Sequence, residues 1–191
     1  MKLFFFEGLL ETTDWNIISL DRLDFSGNLN RIQDMLKDKK EEVRRRVRIV
    51  FCDLRMPVSD QLASDIGHVD YILHLAAGSH VDRSIEHPME FVMDNTVGTV
   101  NILEFARLHQ PCLGNGPSVK CIFSHTFVSD RFVYFSTDEV FGPAPRGVAY
   151  KEYDRYNSGN PYAAAKVLKN DKHICIIYSD LGRRGGVCSG L

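Results

Sequence analysis

The chain has 191 residues, 44% of them hydrophobic and 25% charged, and a net charge of −2. That is enough for one globular domain with a real core and short for two. The near-neutral charge argues against a nucleic-acid partner held by bulk electrostatics. No apolar run reaches the length of a membrane span, so no membrane is expected either.

From the amino terminus, Met1 to Thr13 predicts the end of an amphipathic helix with Phe6, Leu9, Leu10 and Thr13 on one side. Leu3 to Phe6 is too short for a signal-peptide core and lacks a small-residue cleavage site. Asn16 to Leu20, a short apolar run closed by Asp21, predicts a strand. Ser26-Gly27-Asn28 predicts a turn, and a helix follows from about Leu29 to Lys37. The run Arg44-Arg45-Arg46 with Arg48 follows residues of both signs and reads as a solvated helix end.

Val47 to Cys52 predicts the next strand, ending at Asp53-Leu54. Tyr71 to Leu75 predicts another, which runs into Ala76-Ala77-Gly78-Ser79-His80, where small residues let backbone approach a ligand closely. Pro88 opens a long helix through about His109, with Val92, Thr96, Leu103 and Ala106 expected on its buried side. None of the seven histidines has a ligand-like partner nearby in sequence, so no metal is expected. Cys52, Cys112, Cys121, Cys175 and Cys188 form no Cys-x-x-Cys pair, and free thiols in a reducing cytoplasm are the simplest account.

Arg131 to Phe135 is an apolar, aromatic strand that ends in Ser136-Thr137-Asp138-Glu139-Val140-Phe141-Gly142. Open α/β sheets present side chains to ligands at the carboxyl ends of their strands. Further on, Asn160 can cap a helix, Pro161 suits its first turn, and Tyr162 and Lys166 then lie at i and i+4 on one face. A hydroxyl, two carboxylates, a phenol and an ammonium could converge on one bound molecule.

Thr137-Asp138-Glu139 followed by Tyr162-x-x-x-Lys166 resembles the extended short-chain dehydrogenase/reductase superfamily, that of the NAD-dependent epimerases and dehydratases. Within it, the chain is most similar to the nucleotide-sugar 4,6-dehydratases of the dTDP-glucose type. The likeness is read over roughly Leu9 to Lys166. It implies an α/β fold with a Rossmann-like doubly wound parallel sheet, NAD as cofactor, and a nucleotide-sugar substrate of the dTDP- or UDP-glucose type. It also implies a family homodimer formed through the long helix and the Tyr-x-x-x-Lys helix. By resemblance, Asp21, Arg22, Leu23 and Asp24 serve the adenosine ribose and Asp53 with Leu54 flanks the adenine. Leu75, Ala76, Ala77 and Ser79 line the cofactor, and Ser79 also faces the sugar.

The same resemblance makes Tyr162 the base that takes the 4-hydroxyl proton and places Lys166 on the nicotinamide ribose. Thr137 holds the 4-hydroxyl, Glu139 removes the C5 proton and Asp138 protonates the departing 6-hydroxyl. An epimerase or decarboxylase needs no such pair of acids beside the threonine, which ranks the dehydratase reading above those alternatives.

Three departures qualify the expectation. Nothing before Asp21 fits the glycine-rich loop that holds a pyrophosphate at a helix N-terminus. The expected fold is therefore an incomplete Rossmann-like sheet lacking the first strand and that loop. About 111–130 reads as an insertion in a partial NAD-binding domain spanning 1–166. Residues 167–191 read as a divergent tail containing a short strand, His173 to Tyr178, with the substrate domain absent. On these grounds the chain is expected to be truncated at both ends, and a non-catalytic remnant is the third alternative.

Overall fold

The computed structural model describes residues 2–23, 29–109, 132–151, 154–167 and 175–179. They fall into two units, one ending at Asp53 and the other beginning at Leu54. The predicted turn 26–28 and the insertion 111–130 lie outside the described residues, as does most of the tail.

The first unit opens with helix α1, Lys2–Thr12, which buries Phe6 and Leu10. The side chain of Arg46 terminates it by donating to Leu10 O at 2.7 Å and Thr13 O at 2.6 Å, carbonyls that a helix end leaves without partners. The arginine run is therefore not wholly a solvated end, because Arg46 turns inward while Arg44 and Arg45 pair with Glu41. Strand β1, Ile17–Asp21, pairs in parallel with β2, Val47–Phe51, so that Asp21 lies opposite Phe51. Their β-branched residues suit the pleat. The crossover between them carries α2, Leu29–Lys37, and α3, Glu41–Arg44, and the helix predicted from Leu29 forms as expected.

In the second unit, α4, Asp60–Ile66, starts at a Ser59 side-chain cap and stops at Gly67, whose φ is 71°. A three-stranded parallel sheet follows, in the order β3, Ile72–His74, then β4, Phe132–Thr137, then β5, Cys175–Ser179. β4 lies in the middle, and Phe132, Tyr134 and Phe135 are buried there, as a strand covered on both faces requires. Burying each such side chain stabilises the fold by about 1.5–3 kcal/mol. Strand β5 pairs along β4 from Val133↔Cys175 to Thr137↔Ser179, so the short strand predicted in the tail joins the central sheet.

The doubly wound order 3-2-1-4-5-6 places the first strand between the second and fourth. One sheet here matches positions 3-2 and the other positions 4-5-6. Each sheet by itself follows part of that order, and the fold is an incomplete Rossmann-like one without the first strand.

Between β3 and β4 run α5, Val81–Glu86, and a long helical stretch made of α6, Pro88–Phe91, a π turn, Val92–Val97, and α7, Gly98–His109. Its buried side corrects the sequence expectation. Val92 and Thr96 are exposed and Leu103 is half-buried, whereas Phe91, Asn95, Thr99, Ile102, Phe105 and Ala106 are buried. Reading by apolarity passed over Asn95 and Thr99. They are buried because each is hydrogen-bonded, Asn95 to Gly78 and Thr99 to His74. The last described helix is α8, Pro161–Lys166.

Candidate active site

At the end of β4 the chain turns into a 3-10 helix, Asp138–Phe141. The Thr137 hydroxyl begins it, accepting from the Glu139 N–H at 3.4 Å and donating to Asp138 Oδ1 at 3.3 Å. Gly142 ends it with a φ of 76°, and a Cβ there would overlap the Asn157 carbonyl. Residues 157 and 158 return over the turn, with the Asn157 N–H at 2.9 Å and the Ser158 hydroxyl at 3.4 Å from Val140 O. The result leaves Asp138 exposed and Glu139 half-buried.

Helix α8 brings the other candidates to this turn. Asn160 has extended backbone, and its Oδ1 accepts from the Ala163 N–H at 2.8 Å, the N-cap expected from sequence. The nitrogen of the same amide donates to Glu139 Oε2 at 2.8 Å. Tyr162 is half-buried and meets the Phe91 ring edge-on, centroids 6.3 Å apart. Lys166 is 3% exposed. Its Nζ donates to Phe135 O at 2.8 Å and lies 4.9 Å from the centre of the Tyr134 ring. The Ser136 hydroxyl donates to the Lys166 carbonyl at 3.3 Å, which ties the helix end to β4.

Burial raises the Tyr162 phenol above its ordinary range, the Thr137 hydroxyl opposes that, and Glu139 and Asp138 add to the rise. Burial lowers Lys166 to about 8. On β3, burial and then the Lys166 charge lower His74 to about 3. His74 is therefore a neutral core residue, with Nε2 2.9 Å from Thr99 Oγ1 and its ring stacked on Tyr134.

Beyond β3, Leu75 is half-buried and Ala76, Ala77 and Ser79 are exposed. Asn95 grips this loop through both ends of its amide, accepting from Gly78 N–H at 2.7 Å and donating to Gly78 O at 3.1 Å. The loop turns at His80, whose φ of 87° is unusual for a residue with a side chain. Leu54 is half-buried, and its carbonyl accepts from the Asn101 amide at 2.7 Å.

The remaining candidates belong to the first unit. Asp21 ends β1 and Asp53 follows β2, and the Cys52 N–H donates to Asp21 O at 3.0 Å, which sets both acids at the carboxyl end of that sheet. Asp21 Oδ1 also accepts from the Leu23 N–H at 2.9 Å, across half-buried Arg22. Asp24 lies outside the described residues. Among the described residues no group of three or more metal-ligating side chains occurs, and no helix is long and apolar enough to cross a membrane.

The sequence reading missed Asn95 and the second bond of Asn160. A polar amide amid the apolar run of a long helix was the available sign for Asn95. Nothing local could have revealed the contact from Asn160 to Glu139.

A family model described as GDP-mannose 4,6 dehydratase matches residues 4–181. The chain belongs to this family. The match continues past Lys166, which corrects the earlier end of the likeness, and it takes in β5. A dTDP-glucose 4,6-dehydratase of Escherichia coli is 33% identical over 169 residues, 83% of this chain and 42% of that protein. A Streptomyces niveus dTDP-glucose 4,6-dehydratase is 39% identical over 147 residues, 77% of this chain and 36% of that one. The chain spans about two fifths of the length of these relatives.

Among solved structures, the Streptomyces venezuelae dTDP-glucose 4,6-dehydratase with NAD and TYD bound superposes with a TM-score of 0.63 at 29% identity, covering 86% of this chain and 43% of that one. A UDP-Glc/GlcNAc 4-epimerase of Campylobacter jejuni, 24% identical with a TM-score of 0.60 over 84% of this chain and 41% of that one, shares the fold.

Proposed function

We propose that the chain serves the redox-neutral 4,6-dehydration of a nucleotide-activated hexose, with dTDP-glucose the class its relatives favour. One observation carries the reading: the Thr137 hydroxyl meets Asp138 Oδ1 at 3.3 Å, and Asn160 ties Glu139 at 2.8 Å to the helix turn that carries Tyr162. An acid and a base beside the phenol are what an elimination needs and what a plain epimerase does without.

The second unit fits the nicotinamide end of NAD. Lys166 spends one of its ammonium N–H groups on Phe135 O, and exposed Ala76 and Ala77 leave main chain accessible at the β3 exit. In the first unit, Asp21, Arg22, Leu23 and Asp53 are assigned to the adenosine portion, together with Asp24 and, in the second unit, Leu54. Leu75, Ala76, Ala77 and Ser79 are assigned to the cofactor's approach, and Ser79 also to the sugar. When bound, NAD+ supplies the acceptor for the hydride from C4 and the donor that returns it to C6.

Thr137 holds the sugar 4-hydroxyl and Tyr162 takes its proton. Because burial and two carboxylates raise Tyr162, its anion would require a compensating positive charge, which Lys166 on the same helix and bound NAD+ would supply. The 4-ketone so formed acidifies C5. Glu139 removes the C5 proton, and Asp138 gives its proton to the 6-hydroxyl, which leaves as water. Exposed Met89, Val92 and Val100 on the long helical stretch support a homodimer built on that face, which sedimentation velocity reads directly.

The test supplies what a complete sheet and sugar site need. A family-type first strand and glycine loop are grafted before Leu9, and a dehydratase C-terminal portion is joined after β5. This chain is expected to form the 4-keto-6-deoxy product without net NADH, and Tyr162→Phe to abolish turnover. Asp138→Asn should keep the C4 oxidation but slow loss of water by about 10²–10⁴-fold. If Asp138→Asn and Glu139→Gln both leave elimination untouched, the epimerase reading replaces this one.

A further inference from the structure

We propose that Asn160 is a positioning residue for Glu139, fixing which carboxylate oxygen can take a proton. The inference rests on the assignment of Glu139 as the C5 base. Its geometry is over-determined. The Ala163 N–H can only donate, so the atom of Asn160 that faces it at 2.8 Å must be Oδ1. The amide nitrogen then faces Glu139 Oε2 at 2.8 Å and can only donate. A proton on Oε2 would set a donor against a donor, so Oε2 is kept as an acceptor. Oε1 is left as the oxygen for proton transfer.

The consequence reaches beyond helix capping. A glutamate has three side-chain torsions, and a half-buried carboxylate at a chain turn would otherwise sample several directions. Asn160 pins the last torsion to the first turn of α8, the turn that also carries Tyr162. Phenol and carboxylate thereby share one rigid reference, although they lie on segments 23 positions apart in sequence. General-base efficiency depends on such alignment.

Asn160→Ser and Asn160→Asp separate the two roles, because both keep a capping oxygen and neither keeps the amide donor. The assay uses the completed chain of the preceding test, called unmodified when it carries no substitution, and a nucleotide 4-keto-6-deoxyhexose in deuterated buffer, and NMR follows loss of the C5 proton. This half-reaction needs neither cofactor nor hydride transfer. The unmodified chain is expected to exchange C5 faster than buffer, and Glu139→Gln to fall to the buffer rate. Asn160→Ser and Asn160→Asp should exchange at least roughly 10-fold more slowly than the unmodified chain, the worth of a hydrogen bond to a charged group. Their melting midpoints should remain within ~3 °C of it.

Exchange by Asn160→Ser at the unmodified rate, with Glu139→Gln inactive, overturns the positioning role and leaves the base assignment standing. No exchange by the unmodified chain, or unchanged exchange by Glu139→Gln, removes the base assignment and this inference with it. A second measurement is independent of any variant's folding. In 15N-labelled chain the Asn160 side-chain amide should be protected from solvent exchange, and exchange at the rate of a solvated asparagine overturns the proposal.

Discussion

At the carboxyl end of β1, Asp21 Oδ1 accepts from the N–H of Leu23, two residues on; at the end of β4, Glu139 Oε2 accepts from Asn160, 21 residues on. The first contact is one that a short peptide can make by itself. The second exists only when the 3-10 turn and α8 have docked against the same strand. Behind it, the second unit buries Lys166, His74, Asn95 and Thr99, whereas the end of β1 is half-buried and its contact local. Positioning by the chain itself is cheap and robust. Positioning by docked elements is costly and makes the candidate site as stable as the packing beneath it.

The largest expected effect tests that dependence from the acid side. His74 has a folded pKa of about 3 against an ordinary 6.5. Between those values the unfolded chain binds a proton that the folded chain refuses, so stability is lost as pH falls through that window. The full loss is on the order of 5 kcal/mol. Urea unfolding at pH 7 and pH 4 should show about 3 kcal/mol of it, and His74→Gln should remove most of the slope. A pH-independent midpoint would mean that the second unit's polar core is solvated and the contrast with β1 is empty.

Lys166 gives the next effect, with the window on the alkaline side. Its folded pKa of about 8 lies below the ordinary 10.5. Above pH 8 the folded chain sheds a proton that the unfolded chain keeps, so stability rises as pH climbs toward 10.5, by about 3 kcal/mol in all. Lys166→Met should flatten the rise measured between pH 8 and 9, below the ordinary tyrosine pKa of about 10. An unchanged slope would place the lysine in water.

The smallest effects compare the two strand ends directly. Gly142→Ala puts a side chain where φ is 76° and the Asn157 carbonyl blocks the space, and should cost about 1–3 kcal/mol in urea unfolding. Asp21→Asn keeps the oxygen that Leu23 uses and should stay within ~0.5 kcal/mol of the parent. Equal costs would erase the distinction between local and docked support.

The same distinction explains what could be read from sequence. β1, α2, β2, β4 and the Asn160 cap are written in local patterns, apolar runs closed by an acid or an asparagine followed by proline. The Thr137-Asp138-Glu139 and Tyr162-x-x-x-Lys166 segments were legible as motifs. Their mutual geometry was not, because it depends on Asn160 reaching back to Glu139 and on Lys166 lying under Tyr134. The inner side of the long helix was misread at Val92 and Thr96 because hydropathy ranks a valine above an asparagine. The fold instead buried the asparagine that could grip Gly78. β5 was seen as a strand, but its place beside β4 required a partner distant in sequence.

The π turn at Val92–Val97 carries a last consequence, for how this stretch can vary in length. It holds one residue more than an α-helical turn would. Deleting any one residue there would let an ordinary helix close up, and everything after it would rotate by about 100° about the axis. Asn95 would leave Gly78, Thr99 would leave His74, and α7 would present a different side to β3 and β4. Between Phe91 and Ile102 a substitution alters one contact, while a gain or loss of one residue alters them all. Related chains are therefore expected to differ in this stretch by exchange of side chains and to share its count of residues.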